Sequence, residues 1–393
     1  MATLARMRSD WEAVYEADPE AQYFLSWAWL SPWLSAMRAS WMILVARTDD
    51  EHGRPVAFLP LRFRRNSEAK QKGGKEVMMA GNCSADYSGL LCVPRHQDQA
   101  IPELGRYLKK QNWDLCDFQY VSMSRKRRQM FLSRFSRRDF ELTEVTRELN
   151  RDGINNHVCP RVALPDDFDT YLETKVGRNT RQKIRRFLRK IDDEASEFRI
   201  EIADATSINR SLDILQELWL SKWGARKGPS RDSIISNMRG LLAASFKQGT
   251  LFMPVLWRND EPLGALGIYI DEIKRSMLFS VAGCRTDINN PAPGLALHAF
   301  SIRHAIEQGI TTYDFLRGDE PYKYAFGAED HQLSTIVIRP RRAKTKSNAP
   351  AKQLDMPAWY EPPAHVVAQG GSALMAGKMR ISVNGLPTQS PSR

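Results

Sequence analysis

The run Asp319-Glu320-Pro321-Tyr322-Lys323 puts two carboxylates, a phenol and an ammonium side by side, with Arg317 just upstream. Carboxylates in that position can take up a proton, a phenol can return one, and the cations can hold an anionic group. Read alone, the run is equally an ordinary turn of solvated charges in which Tyr322 packs. A second pair, Asp86-Tyr87, follows an apolar stretch in the first half. Its carboxylate suits a cationic or hydroxyl-bearing molecule, or it is a turn aspartate. The third candidate uses the main chain. Residues 283–295, with Asn290, Ala292, Gly294 and Leu295 among them, follow an expected strand over 276–282 and open a helix. The first N–H groups of a helix are unpaired and its dipole is positive there, so the turn suits an anion such as a pyrophosphate. The plainer reading is that Pro293-Gly294 only starts a helix.

The segment 178–190 carries seven cations, with Ile184, Phe187, Leu188 and Ile191 at helical spacing. It reads as a solvated amphipathic helix, or as a docking site for an acyl carrier protein, a tRNA or an anionic membrane surface. The net charge of +11 favours an anionic partner without choosing one. No nucleic-acid motif accompanies the helix, which argues against specific readout. The seven histidines are scattered away from any cysteine cluster, so no metal is expected. No Gly-x-Ser-x-Gly or Walker-type loop is present, which argues against hydrolase and NTPase chemistry. Five cysteines without a C-x-x-C pair read as reduced, buried thiols. No apolar run is long enough to span a bilayer and no signal-peptide core appears, so the expected location is the cytoplasm, or the periphery of the inner membrane.

The elements that must position these groups come in two sets. An apolar strand over 41–47, a turn with Gly53 and a second strand over 55–62 form a hairpin, and the pattern returns over 251–258 and 262–270. Each hairpin leads to a further strand, a helix (98–111 and 295–308) and a short strand containing Asp-Phe, at Asp117-Phe118 and Asp314-Phe315. The repeat predicts a duplicated α/β unit, two mixed sheets flanked by helices. The expected domains are 1–155 and 156–340, with a disordered tail over 341–393 rich in Pro, Ser and Lys.

The stretch 278–308, followed by Tyr313-Asp314-Phe315-Leu316-Arg317-Gly318-Asp319-Glu320-Pro321-Tyr322-Lys323, resembles the GNAT acetyltransferases of the CelD-like group, associated with bacterial cellulose and exopolysaccharide synthesis and related to FemAB-type transferases. The likeness runs over most of 20–340. It includes Trp27-x-Trp29-Leu30, Ala85-Asp86-Tyr87, Arg178-Asn179-x-Arg181-x-Lys183 and Trp223-x-x-Arg226-x-Gly228. It implies a tandem GNAT fold and an acyl-CoA donor such as acetyl-CoA. The pyrophosphate would lie at Asn290, Ala292, Gly294 and Leu295, and Arg317 and Lys323 would hold an anionic group. Asp319 or Glu320 would act as base and Tyr322 as acid to the thiolate, with Asp86 facing the same cleft. Prolines replace the first glycine of the usual GNAT turn, and the first copy, at 93–97, lacks a glycine turn and is expected to have lost donor binding. The implied function is N-acyl or O-acyl transfer in cell-envelope or exopolysaccharide metabolism. The alternatives are a FemAB-like aminoacyl-tRNA-dependent transferase, or a non-catalytic accessory protein that binds a membrane synthase.

Overall fold

The computed structural model describes residues 2–37, 40–50, 53–66, 74–82, 84–227, 231–288, 292–341 and 379–385. Its strands, in chain order, are β1 (Trp41–Arg47), β2 (Pro55–Asn66), β3 (Gly74–Met79), β4 (Leu91–Cys92), β5 (Leu115–Val121), β6 (Phe140–Val145), β7 (Val158–Ala163) and β8 (Phe198–Ile202). They continue with β9 (Leu251–Phe252), β10 (Pro254–Arg258), β11 (Glu261–Asp271), β12 (Ser276–Cys284), β13 (Thr312–Asp314), β14 (Glu329–Gln332), β15 (Ser334–Pro340) and β16 (Arg380–Gly385). The chain divides into two compact units, one made of residues 1–148 and 332–393 and the other of 149–331.

The sheet of the first unit runs β16-β1-β2-β3-β5-β15-β6, and that of the second runs β14-β7-β13-β12-β11-β10-β8. Each sheet contains a parallel pair among antiparallel neighbours, β3 with β5 and β12 with β13. Both parallel pairs are held by three registered positions, and in both the last one places an aspartate: Met78 opposite Asp117, and Leu278 opposite Asp314. The two Asp-Phe pairs thus stand at the same place in a duplicated α/β architecture.

The structure moves the expected boundaries. The second unit ends at His331, not 340, because β15 pairs with β5 and β6 of the first unit. Nothing local in Ser334–Pro340 announces that distant pairing, since its alternating burial fits any half-covered strand. Most of the expected tail lies outside the described residues, but Arg380–Gly385 is an ordered edge strand on β1.

In the second unit the period of two along a strand fixes which helix covers which face. Gly264, opposite Cys284, sits under Pro293 and Leu297 of the Pro293–Glu307 helix. The neighbouring pair turns Gly283 to the other face, under the Ile208–Lys227 helix, where a Cβ would stand 2.6 Å from the Leu215 carbonyl oxygen and 2.8 Å from the Leu218 Cβ. A core of Leu266, Ile268, Leu297, Ile302, Tyr313 and Phe315 joins the sheet to its helices.

Gly283→Ala therefore overpacks a backbone contact and is expected to lower unfolding free energy by about 2 kcal/mol in denaturant titrations. Gly240, inside the Arg231–Lys247 helix with open space at its Cβ position, supplies the opposite sign: Gly240→Ala is expected to stabilise by about 0.5–1 kcal/mol. Equal effects at the two sites would disprove the assigned packing.

Candidate active site

The second unit contains a fork. β12 pairs with β13 only from Ser276 to Leu278, then continues through Phe279 to Cys284 along β11 alone. The parting is helped by a bulge: Phe279 faces Ile268 and Val281 faces Gly267, which leaves Ser280 outside the ladder. Among the described residues of this unit nothing bridges the gap. In the first unit the corresponding place is closed. Residues 80–90 leave the sheet between β3 and β4, and Ser88 bridges to Val121, accepting from Ser122 N–H and donating its own N–H to the Tyr120 carbonyl.

That closure settles where Asp86 stands. It is a half-buried residue of the 80–90 excursion, in the first unit, whereas the other sequence-derived candidates belong to the second. Tyr87 is buried edge-on against Phe24, a packing role.

On the far side of the fork the chain makes a tight turn after β13. Asp314 is buried, pairs with Arg161 at 2.6 Å and accepts the Leu316 N–H at 2.7 Å. Leu316 takes φ 55° and Gly318 takes φ 105°, the latter a conformation suited to glycine. Lys323 clamps the turn from the opposite end. Its ammonium donates to the carbonyls of Leu316 (3.3 Å), Arg317 (2.9 Å) and Gly318 (2.9 Å), and pairs with Glu320 at 2.8 Å. This corrects the expected anion-holding role of Lys323: the side chain is buried and its charge is already neutralised inside the turn. Arg317 is partly exposed beside it.

The two carboxylates are differently placed. Asp319 accepts the Asn155 N–H at 2.7 Å, while Glu320, 38% exposed, is held by Lys323. Tyr322 keeps 45% of its surface open, and burial first, then Glu320 and the Cys284 thiol, raise its pKa above the ordinary value. It is thus a protonated phenol at neutral pH, near the end of β12.

Of the donor-turn residues, Asn290 lies outside the described residues. Ala292 is the N-cap of the Pro293–Glu307 helix and supplies no side-chain cap, Pro293 has no N–H, and Ala296 already bonds the Ala292 carbonyl. Gly294 and Leu295 are left as the donors of the first turn, and among the described residues a Cβ on Gly294 would meet nothing within 4 Å. The basic helix, Arg178–Ile191, buries Ile184, Phe187 and Leu188. Its cations are partly committed: Arg185 pairs with Asp169 and Glu173, and Lys190 lies over the Phe198 ring.

His298 is a residue that no motif singles out. It is buried where the strands part, with its ring 4.5 Å from that of Phe279, 5.1 Å from Phe315 and 6.0 Å from Tyr322, and its Nδ1 lies 2.9 Å from the Tyr313 hydroxyl. Burial, then the Lys323 ammonium, lowers its pKa to about 3. Among the described residues no group of three or more His, Cys, Asp or Glu side chains is placed to hold a metal, and no helix is long and apolar enough to cross a membrane.

Parallel strands that part over a bulged neighbour, followed by a helix, leave an open strand edge in the second unit. Residues 178–324 match the model of the acetyltransferase (GNAT) domain. The second unit thus carries a GNAT acetyltransferase domain, and the protein is an acyltransferase. The chain superposes on the crystal structure of FemX with a TM-score of 0.59 at 11% identity, covering 84% of this chain and 95% of that one. A conserved protein of unknown function from Bacteroides thetaiotaomicron gives 0.52 at 13% identity, covering 86% and 97%. A tandem GNAT protein from the clavulanic acid biosynthesis pathway gives 0.45 at 10% identity, covering 86% and 95%. These are likenesses of fold. No curated protein matches the sequence.

The buried imidazole has a measurable signature. Its pKa lies well below the value of about 6.5 that it takes in the unfolded chain. On acidification the unfolded chain therefore binds a proton that the native one does not, and stability falls as pH drops through 6.5. By pH 5 this histidine costs about 2 kcal/mol. His298→Phe is expected to shrink the difference in unfolding free energy between pH 7 and pH 5 by about that amount; an unchanged difference would place the imidazole in water.

Proposed function

We propose that the second unit transfers an acyl group from an acyl-CoA thioester to an amine acceptor, in the cell-envelope or exopolysaccharide metabolism that the CelD-like resemblance suggests. The observation that carries this reading is the fork, with an unpaired strand edge on one side and the Tyr322 phenol presented by the turn on the other. The donor's thioester arm enters the fork and its anionic end meets the Gly294 and Leu295 N–H groups at the helix start. A backbone N–H of the Phe279–Gly283 edge polarises the thioester carbonyl. The acceptor amine loses its proton to Glu320 or Asp319, directly or through water, and Tyr322 protonates the departing thiolate. The first unit, its fork bridged by Ser88, contributes no second donor site.

A second reading is an aminoacyl-tRNA donor. The relation of the CelD-like group to FemAB-type transferases motivates it. The 178–191 helix speaks against it, being far shorter than the long coiled-coil insertion usual in FemAB-type transferases.

Calorimetric titration with acetyl-CoA and with longer acyl-CoA species separates the two. Gly294→Val is expected to weaken CoA binding at least tenfold, about 1.4 kcal/mol, with unchanged melting, because the added methyls meet only a ligand. Tyr322→Phe is expected to lower kcat about a hundredfold in a thiol-release assay while KM stays near its original value. Full activity in Tyr322→Phe, or full affinity in a folded Gly294→Val, would overturn the respective assignment.

A further inference from the structure

The Arg178–Ile191 helix is built against the rules that stabilise a helix. Its start is the positive end of the macrodipole, where a carboxylate and a capping side chain stabilise and a cation destabilises. Gly177 stands at the N-cap without a side-chain hydrogen bond, the first turn holds no acid, and Arg178 and Arg181 lie there instead. Further along, Arg181 and Arg185, Lys183 and Arg186, and Arg185 and Arg189 are like charges three or four residues apart, a spacing that repels. The neighbouring Phe168–Thr174 helix shows the ordinary solution: Asp167 caps it, accepting the Thr170 N–H at 2.7 Å, and Asp169 occupies its first turn. Folding alone does not account for the residues chosen over 178–190, and such local conflicts mark places kept for another purpose.

The second unit does not resolve the conflict internally. Asp169 and Glu173 both take Arg185, at 3.1 and 3.5 Å, and Asp192 beyond the helix is taken by Arg303 at 2.8 Å. Among the described residues Arg178, Arg181, Lys183 and Arg189 pair with no carboxylate. Ile184, Phe187 and Leu188 face the core, so spacings of three and four place Arg178, Gln182, Arg186 and Arg189 on the outward side, flanked by Lys183 and Arg181. All of these but Arg181 are exposed. Asp193 and Glu194 follow the helix end, which concentrates the uncompensated charge toward its start. The one aromatic residue of the helix, Phe187, is buried, so the outward side has no ring on which a base could stack. It also lacks the apolar centre that anchors a protein partner. What it offers is cationic charge along about 21 Å of helix. A bilayer with anionic headgroups is the matching surface, dense in negative charge and without fixed shape.

We infer that the outward side of the Arg178–Ile191 helix is a docking surface for a bilayer rich in anionic lipid, held by charge alone. Helices that insert into a membrane interface turn their apolar side to the acyl chains, whereas here that side is committed to the core of the second unit. Attachment is therefore reversible and follows ionic strength, since at about 0.15 M salt exposed charges are screened beyond about 8 Å. The net charge of +11 adds a longer-range attraction in the same direction. The inference is independent of the acyl-transfer reading and holds whatever donor the second unit uses.

The test is sedimentation of the full-length protein with vesicles of equal parts phosphatidylglycerol and phosphatidylcholine, beside vesicles of phosphatidylcholine alone. The protein is expected to pellet with the first and not with the second, and to detach as NaCl rises from about 0.05 M to about 0.5 M. Arg178→Glu, Arg181→Glu and Lys183→Glu together are expected to weaken vesicle binding at least roughly a hundredfold. The melting temperature of that variant is expected to stay level or rise, because cations leave the positive end of the dipole. Since Arg181 is partly covered, Arg178→Gln with Lys183→Gln serves as a milder variant on exposed positions only, with an expected loss of about thirtyfold. Equal binding to the neutral vesicles, binding that salt does not weaken, or full affinity in either variant would overturn the assignment. Retention of bulk tRNA by a protein that leaves the anionic vesicles unbound would give the same cations to a nucleic acid and overturn it as well.

Discussion

The ammonium of Lys323, sealed from water and shared among the Leu316, Arg317 and Gly318 carbonyls and the Glu320 carboxylate, is the interaction on which the candidate site depends. A buried charge is tolerated only when it is paired and its donors are satisfied, and here one cation meets both conditions while drawing a left-handed turn shut. Asp314 does the same from the other end, tied to Arg161 and to the Leu316 N–H. Between these two clamps the chain has little freedom, so Asp319, Glu320 and Tyr322 are presented by a rigid corner and not by a loose loop. The turn carries its charges inward to hold itself and leaves the phenol outward.

The two units differ at the end of the parallel pair although their sheets agree in order. Each has a parallel pair ending at an aspartate. In the first unit Asp117 is bonded by the Gln119 amide, burial raises its pKa, and the following excursion over 80–90 is stitched to Tyr120 and Val121 by Ser88. In the second a single-residue bulge replaces that excursion and the edge stays open. One architecture thus yields a closed sheet and an open one through the length of the interruption in one strand.

The duplication was legible because hairpins and Asp-Phe strands carry strong periodic and compositional marks. The turn from 314 to 323 was legible as a cluster of ionisable groups, but not the direction each side chain takes. Lys323 looked like a ligand for an anion because sequence shows charge and conceals burial. His298 was invisible for the complementary reason: a lone histidine within an apolar helix has no local pattern, and its relation to Tyr313 exists only once the helix lies across the sheet. β15 and β16 were missed because strand pairing across hundreds of residues leaves no trace in local alternation.

The return of β15 to the first unit has a temporal side. Residues 149–331 are contiguous, so the second unit can complete its sheet as soon as that stretch has left the ribosome. The first unit cannot. Its β5 waits for Ser334–Pro340 and its β1 for Arg380–Gly385, pairings that close very long loops and come late for entropic reasons. During synthesis the N-terminal half therefore exists with two exposed strand edges while the later half is already folded, an inversion of the usual order in which a nascent chain matures and an interval in which those edges need shelter.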